Sequence, residues 1–170
     1  MAAQPSTVPS SASSTLATTG SPAAAPLTTI DTTDVLPSGF DLVSARVTEP
    51  DGTVCDLCLW LAETGVQRSR GLMSVTDLGP ADGMAFVYPQ PHVTRFWMKD
   101  TVLPLSIAFY DPAGKFMESF DMEPCLTDSC PTYPTPIGFL IAVEAYQGAL
   151  APVGMVEGST LEVLDRPCGT

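Results

Sequence analysis

The sequence holds a single histidine, His92, and only 7 lysines and arginines among 170 residues. A lone histidine removes multi-histidine metal centres and most Ser-His-Asp arrangements. Against 19 acidic side chains, the few basic ones leave a net charge of −12. That argues against a nucleic-acid partner, because such binders cluster Lys and Arg, and against an anionic membrane surface. No stretch approaches the ~20 apolar residues of a membrane-crossing helix. Residues 1–29 carry no charge at all, and 23 of these 29 are Ala, Ser, Thr or Pro. They lack the basic start and the ~7–15-residue apolar centre of a signal peptide. They also lack the large apolar groups that would offset an ordering cost of ~1–2 kcal/mol per residue.

Residues 1–36 are therefore read as a disordered Ala/Ser/Thr/Pro-rich tether. Such composition commonly follows an export signal or lipid anchor. The expectation is a secreted or cell-surface protein, any tethering coming through a removed N-terminal segment. A cytosolic protein with an unstructured tail is the alternative.

From about residue 37 to 170, apolar residues and charges return, enough for a single β-rich domain with its own core. Segments 40–48 and 53–61 alternate or run apolar, with the turn Glu49-Pro50-Asp51-Gly52 between them. Thr64 followed three residues later by Gln67 is a capping box opening a short helix. Further strands are predicted over 84–88, 94–98, 105–110, 115–120, 138–146 and 159–164. A turn of helix is predicted before Gly154, the residue that caps it. Many short strands with close turns point to a mostly β (β-rich α+β) fold: a small barrel-like or strongly curved antiparallel sheet with one or two short helices.

Several segments carry a family pattern. In order they are Arg70-Gly71-Leu72-Met73, Gly83-Met84-Ala85-Phe86, Phe96-Trp97-Met98-Lys99-Asp100-Thr101 and Pro104-Leu105. Pro124-Cys125, Cys130, Tyr133, Val143-Glu144, Gly154 and Gly158 follow. Over about residues 42–165 the chain resembles the domain of unknown function 192. The resemblance implies a small β-rich domain, often exported or membrane-tethered, and no established activity. Two positions depart from the family pattern: Asp100 stands where Asn is usual, and Ser106 where Asp is usual.

Five cysteines, Cys55, Cys58, Cys125, Cys130 and Cys168, admit disulfides or a four-thiolate zinc site. Zinc is the weaker reading, since the Cys55–Cys58 and Cys125–Cys130 pairs lie far apart in sequence. On a regular strand Cys55 and Cys58 stand about 10 Å apart on opposite faces, too far to bond to each other. Cys125 and Cys130 lie in a proline-rich loop where a short ring closes easily, and are read as a disulfide. Cys168 can reach Cys55 or Cys58, leaving one thiol over.

His92 is read as a solvent-facing loop residue, with a Cys-His dyad as the sharper alternative. The carboxylates form no recognisable acid-base pair and are read as a solvated face. Met73, Met84 and Met98 are soft ligands suited to copper(I), but methionine more often fills apolar cores. Alternation over 94–98 buries Phe96 and Met98 and leaves Arg95 and Trp97 on the other face. Arg70, Trp97, Lys99 and Tyr133 form the candidate pocket, able to bind an acidic or sugar-like ligand by charge-assisted hydrogen bonds and stacking.

The function read from these residues is an extracytoplasmic, non-enzymatic binding or accessory module for a small molecule or a protein. No cofactor is indicated. The alternatives are soft-metal handling through Met73, Met84 and Met98 and a thiol-based redox enzyme.

Overall fold

The computed structural model describes residues 35–168. The predicted tether falls outside the described residues except for Val35 and Leu36. Val35 is held in place, its N–H donating to Thr76 Oγ1 (2.8 Å) and its carbonyl accepting from Thr76 N (2.9 Å).

Among the described residues nine strands and one α-helix follow in the order β1 (Asp41–Thr48), β2 (Val54–Ala62), α1 (Gly65–Arg70), β3 (Gly83–His92), β4 (Arg95–Trp97), β5 (Leu105–Tyr110), β6 (Phe116–Met122), β7 (Thr132–Pro134), β8 (Phe139–Tyr146) and β9 (Thr160–Pro167). A 3-10 turn, Ala151–Val153, precedes β9 and ends at Gly154 in the left-handed region. Seven strands form one sheet in the order β6-β5-β8-β3-β2-β1-β9, and β4 pairs with β7 apart from it.

The hairpin β1–β2 forms where the turn chemistry predicted, Gly52 taking a φ of +88°. The capping box forms as read: Gln67 N donates to Thr64 Oγ1, and Gln67 Oε1 accepts from Thr64 N. The sheet itself is mixed rather than antiparallel, because β2 and β3 run parallel. Parallel neighbours need a crossover of roughly a dozen residues or more. Helix α1 and the loop after it supply 20 residues between Ala62 and Gly83.

Nor is the sheet closed into a barrel. Strands β6 and β9 are its two edges, and they meet at one point, the bridge between Lys115 and Thr160. There Leu161 N donates to Gly114 O (2.8 Å), and Phe116 N to Ser159 O (3.0 Å). The expected 89–92 loop is also strand. Strand β3 continues through Pro89 and Pro91 to pair His92 with Phe139, its register shifting after Val87.

The central strands are buried on both faces, and every residue of β5 is buried. One face packs Met84, Phe86, Ile107, Phe109 and Ala142 with Phe96, Met98 and Phe139. Its rings meet edge to face, with Phe86–Phe96 at 5.3 Å and Phe109–Phe139 at 5.2 Å. The opposite face packs Ala85, Ala108, Tyr110 and Val143 with Val47, Leu59 and Leu161. Two disulfides, Cys58–Cys168 and Cys125–Cys130, cross-link the fold.

Candidate functional site

Strand β8 places one ionisable side chain in an apolar run, Glu144. Its cross-strand partners are Met84 on β3 and Ile107 on β5. Facing residues of paired strands share a side of the sheet, so the carboxyl points into the apolar face that holds both. Glu144 is 5% exposed, and no hydrogen bond or ion pair reaches its carboxyl among the described residues. Burial alone pushes its pKa up to about 8, which keeps the group mostly a neutral acid at neutral pH.

Glu144 lines a narrow crevice of ≈ 30 Å³. A single water needs roughly 10–15 Å³, so the space admits a hydroxyl-sized group and not a ring. Its walls are Gly71, Met73, Phe86, Phe96, Trp97 and Thr101, with Arg68 and Arg70 at the helix side. The backbone around it is unusual. Gly71 has a φ of +48°, and a Cβ there would stand 3.2 Å from the Phe86 ring. Ser74 and Asp100 also have positive φ, 61° and 54°, and are tied by Ser74 N donating to Asp100 O at 2.7 Å. Asp and Asn both tolerate this conformation, so Asp100 replaces the more usual Asn at no backbone cost. Ser106, the second departure, is remote in role: it donates to Asp121 Oδ1 (2.5 Å) and accepts from Gly148 N (2.9 Å).

Beside the crevice is a wider basin of ≈ 330 Å³, sharing Arg68, Ser69, Phe96 and Trp97 with it and adding Gly65, Tyr88, Thr94 and Arg95. Arg68 lies over the Tyr88 ring at 4.7 Å and donates to Glu63 O and Val87 O. Arg70 donates to Ser38 O and Ser38 Oγ, and Arg95 to Thr132 Oγ1. Among the described residues no carboxylate forms an ion pair with any of these three arginines. In a chain of charge −12 this leaves one cleft with three unneutralised guanidinium groups. A larger groove of ≈ 650 Å³ runs along β1, β9 and the 111–114 turn, but it contains no buried ionisable side chain.

Of the four pocket residues predicted from sequence, the structure brings Arg70 and Trp97 together. Trp97 is half exposed at the mouth, as the alternation required. Lys99 turns to the disulfide loop instead, 3.5 Å from Asp100 and 3.8 Å from Asp128. Tyr133 pairs with Phe96 across β4–β7, which puts it on the side opposite Trp97. It stacks on Phe120 at 5.9 Å, and its hydroxyl accepts from Glu123 N.

Met84 and Met98 are fully buried among apolar side chains, and Met73 sits in the crevice wall. Four of the five cysteines are in disulfides, which leaves no four-thiolate set for zinc. Cys55 is the free thiol. Burial pushes its pKa up, and Asp82, Asp56 and Glu49 add to the rise, the opposite of what activates a nucleophile. His92 ends β3 and stacks on Tyr88 at 4.6 Å. Among the described residues no cluster of three His, Cys, Asp or Glu side chains could hold a metal. No helix among them is long and apolar enough to cross a membrane.

Sequence reasoning missed Glu144, Arg68 and Thr101 as site residues. The available signal was one glutamate inside the otherwise apolar 139–145 run.

A family model for DUF192, described as "Uncharacterized ACR", matches residues 46–163. Two solved structures are similar. A protein of unknown function from Novosphingobium aromaticivorans DSM 12444 superposes with a TM-score of 0.63 at 28% identity, over 76% of this chain and 91% of that one. A protein from Sinorhizobium meliloti 1021, described as a candidate transcription regulator, superposes with a TM-score of 0.62 at 25% identity, over 73% and 95%. No curated protein matches the chain significantly.

Proposed function

Because the chain belongs to DUF192, a family whose description names no activity, we propose a function from the cleft itself. The protein is a non-enzymatic binding or accessory module that holds a small anionic ligand outside the cytoplasm. The carrying observation is the pairing of a buried, partnerless acid, Glu144, with a mouth of unneutralised arginines beside a half-exposed tryptophan. A concave site with a few convergent polar groups on aromatic walls suits a small molecule. Arginine forks suit an anion. The two disulfides fit an oxidising compartment. The regulator description of the Sinorhizobium meliloti protein is not carried over, since a charge of −12 opposes contact with DNA.

The test is a titration of the full chain with a panel of small anions, polyols and amines, read at the Trp97 indole N–H by NMR. Anions should shift that signal, and Arg68→Met should lower the affinity at least tenfold. The reading fails if no compound reaches Trp97, or if amines bind and anions do not.

A further inference from the structure

The cleft has an internal order that narrows its ligand. Its basin is wide and cationic, and the hydroxyl-sized crevice that shares four residues with it is lined by a buried acid. Resting on the functional reading above, we propose that the ligand is a sugar acid. Its carboxylate is held by the Arg68 and Arg95 side, its ring lies on Trp97, and one hydroxyl oxygen accepts a hydrogen bond from Glu144.

Each part follows from a separate observation. None of the three guanidinium groups bonds a carboxylate; Arg70 spends Nη1 and Nη2 on Ser38 and Arg95 spends Nε and Nη2 on Thr132, but Arg68 uses only Nη1, so its Nε–Nη2 edge is open to one. A carboxylate fits better than a phosphate. A phosphate favours free helix N-terminal N–H groups. Here the first residue of α1, Gly65, lines the basin, but the Thr64–Gln67 capping box already takes the Gln67 N–H, and the helix turns its C-terminal end, Arg70 and Gly71, to the crevice. A net charge of −12 also penalises a dianion more than a monoanion.

Trp97 lies half exposed and walls both compartments, so a flat ring can cover it while its outer hydroxyls stay wet. The crevice excludes the ring and admits one hydroxyl. An ionised Glu144 would repel an anionic ligand, whereas the neutral acid both donates and accepts. The charged and titratable groups around it are Arg68 and Arg70 on α1 and Tyr88 on β3, while Ile107 on β5 and Thr101 face it without charge.

The experiment titrates the full chain with glucuronate, galacturonate, glucose, benzoate and glucose 6-phosphate, following both tryptophan indole N–H signals. Trp60, bonded to Leu78 O, is the internal reference. The hexuronates should move Trp97 and bind at least tenfold tighter than glucose. Their affinity should fall severalfold between pH 6.5 and pH 9, and Glu144→Gln, whose amide also donates, should flatten that fall. Circular dichroism confirms that the variants are folded.

Tighter binding of benzoate or glucose 6-phosphate overturns the ligand class while leaving the anion cleft intact. Glucose binding as well as glucuronate overturns both the class and the anion reading. Affinity independent of pH in the wild type overturns the role of Glu144. If none of the five compounds moves Trp97, the sugar-acid proposal falls, and the broader anion panel decides the functional reading separately.

Discussion

Gly83 has no room for a side chain because Glu144 passes it: a Cβ at Gly83 would stand 2.3 Å from the Glu144 carbonyl oxygen. The contact is backbone against backbone, so no rotamer change relieves it. Gly83→Ala must push β3 away from β8 where the acid is seated. The expected cost is ~1–3 kcal/mol, as for an overpacked core, and a loss of ligand affinity with it. Thermal unfolding checks it, and an unchanged midpoint would refute the close approach.

Glu144 also makes stability depend on pH. Its pKa is about 8 in the folded protein, against about 4.3 for an ordinary glutamate. Between those values the folded state binds more protons than the unfolded one, so stability falls as pH rises. The contribution is fully present below about pH 4 and lost by the time pH passes about 8. Glu144→Gln should remove this slope. Denaturant midpoints at pH 5 and pH 8 should separate in the wild type by more than in the variant.

The two disulfides should differ in what their loss does. Cys58–Cys168 closes a sequence separation of 110 and Cys125–Cys130 one of only 5. Chain-entropy reasoning assigns ~4–5 kcal/mol to the long loop and ~2 kcal/mol to the short one. Yet the short loop is stitched to the crevice wall, Asp100 N donating to Cys125 O (2.9 Å) and Cys125 N to Thr101 O (3.3 Å). Replacing Cys125 and Cys130 by serine should therefore cost less stability and more affinity than replacing Cys58 and Cys168. Urea unfolding beside ligand titration separates the two effects.

Trp97→Ala should leave the fold almost untouched. Surface substitutions of this kind stay within roughly ±0.5 kcal/mol. Phe96, its buried neighbour on the other side of β4, meets Phe86, Phe109 and Phe139, and Phe96→Ala should cost ~3–5 kcal/mol. A matched pair of melting curves tests the assignment of sides.

Local chemistry was the legible part of this sequence. The capping box, the Gly52 turn, the burial of Met98 and the exposure of Trp97 all follow from neighbours in the chain. The parallel pairing of β2 with β3 does not, since it depends on where a 20-residue crossover returns. Strand β7 escaped because Thr132–Pro134 reads as a proline-rich loop and is a strand only by pairing with β4. The same pairing moves Tyr133 away from Trp97. Lys99 looked available because its partners, Asp100 and Asp128, come from its own turn and from the disulfide loop. Glu144 was passed over because acids in an acidic chain are usually solvated. Only the strands on either side reveal that this one is enclosed.

The long disulfide gives the molecule a covalent topology that its sheet diagram hides. Joining Cys58 to Cys168 makes residues 58–168 one closed ring that contains every strand from β3 to β9 and the second half of β2. A protease cutting once at an exposed turn, such as 111–114, opens the ring without releasing a fragment. The two pieces stay joined until the disulfide is reduced, so the long disulfide acts as a restraint against loss of a damaged piece as well as against unfolding.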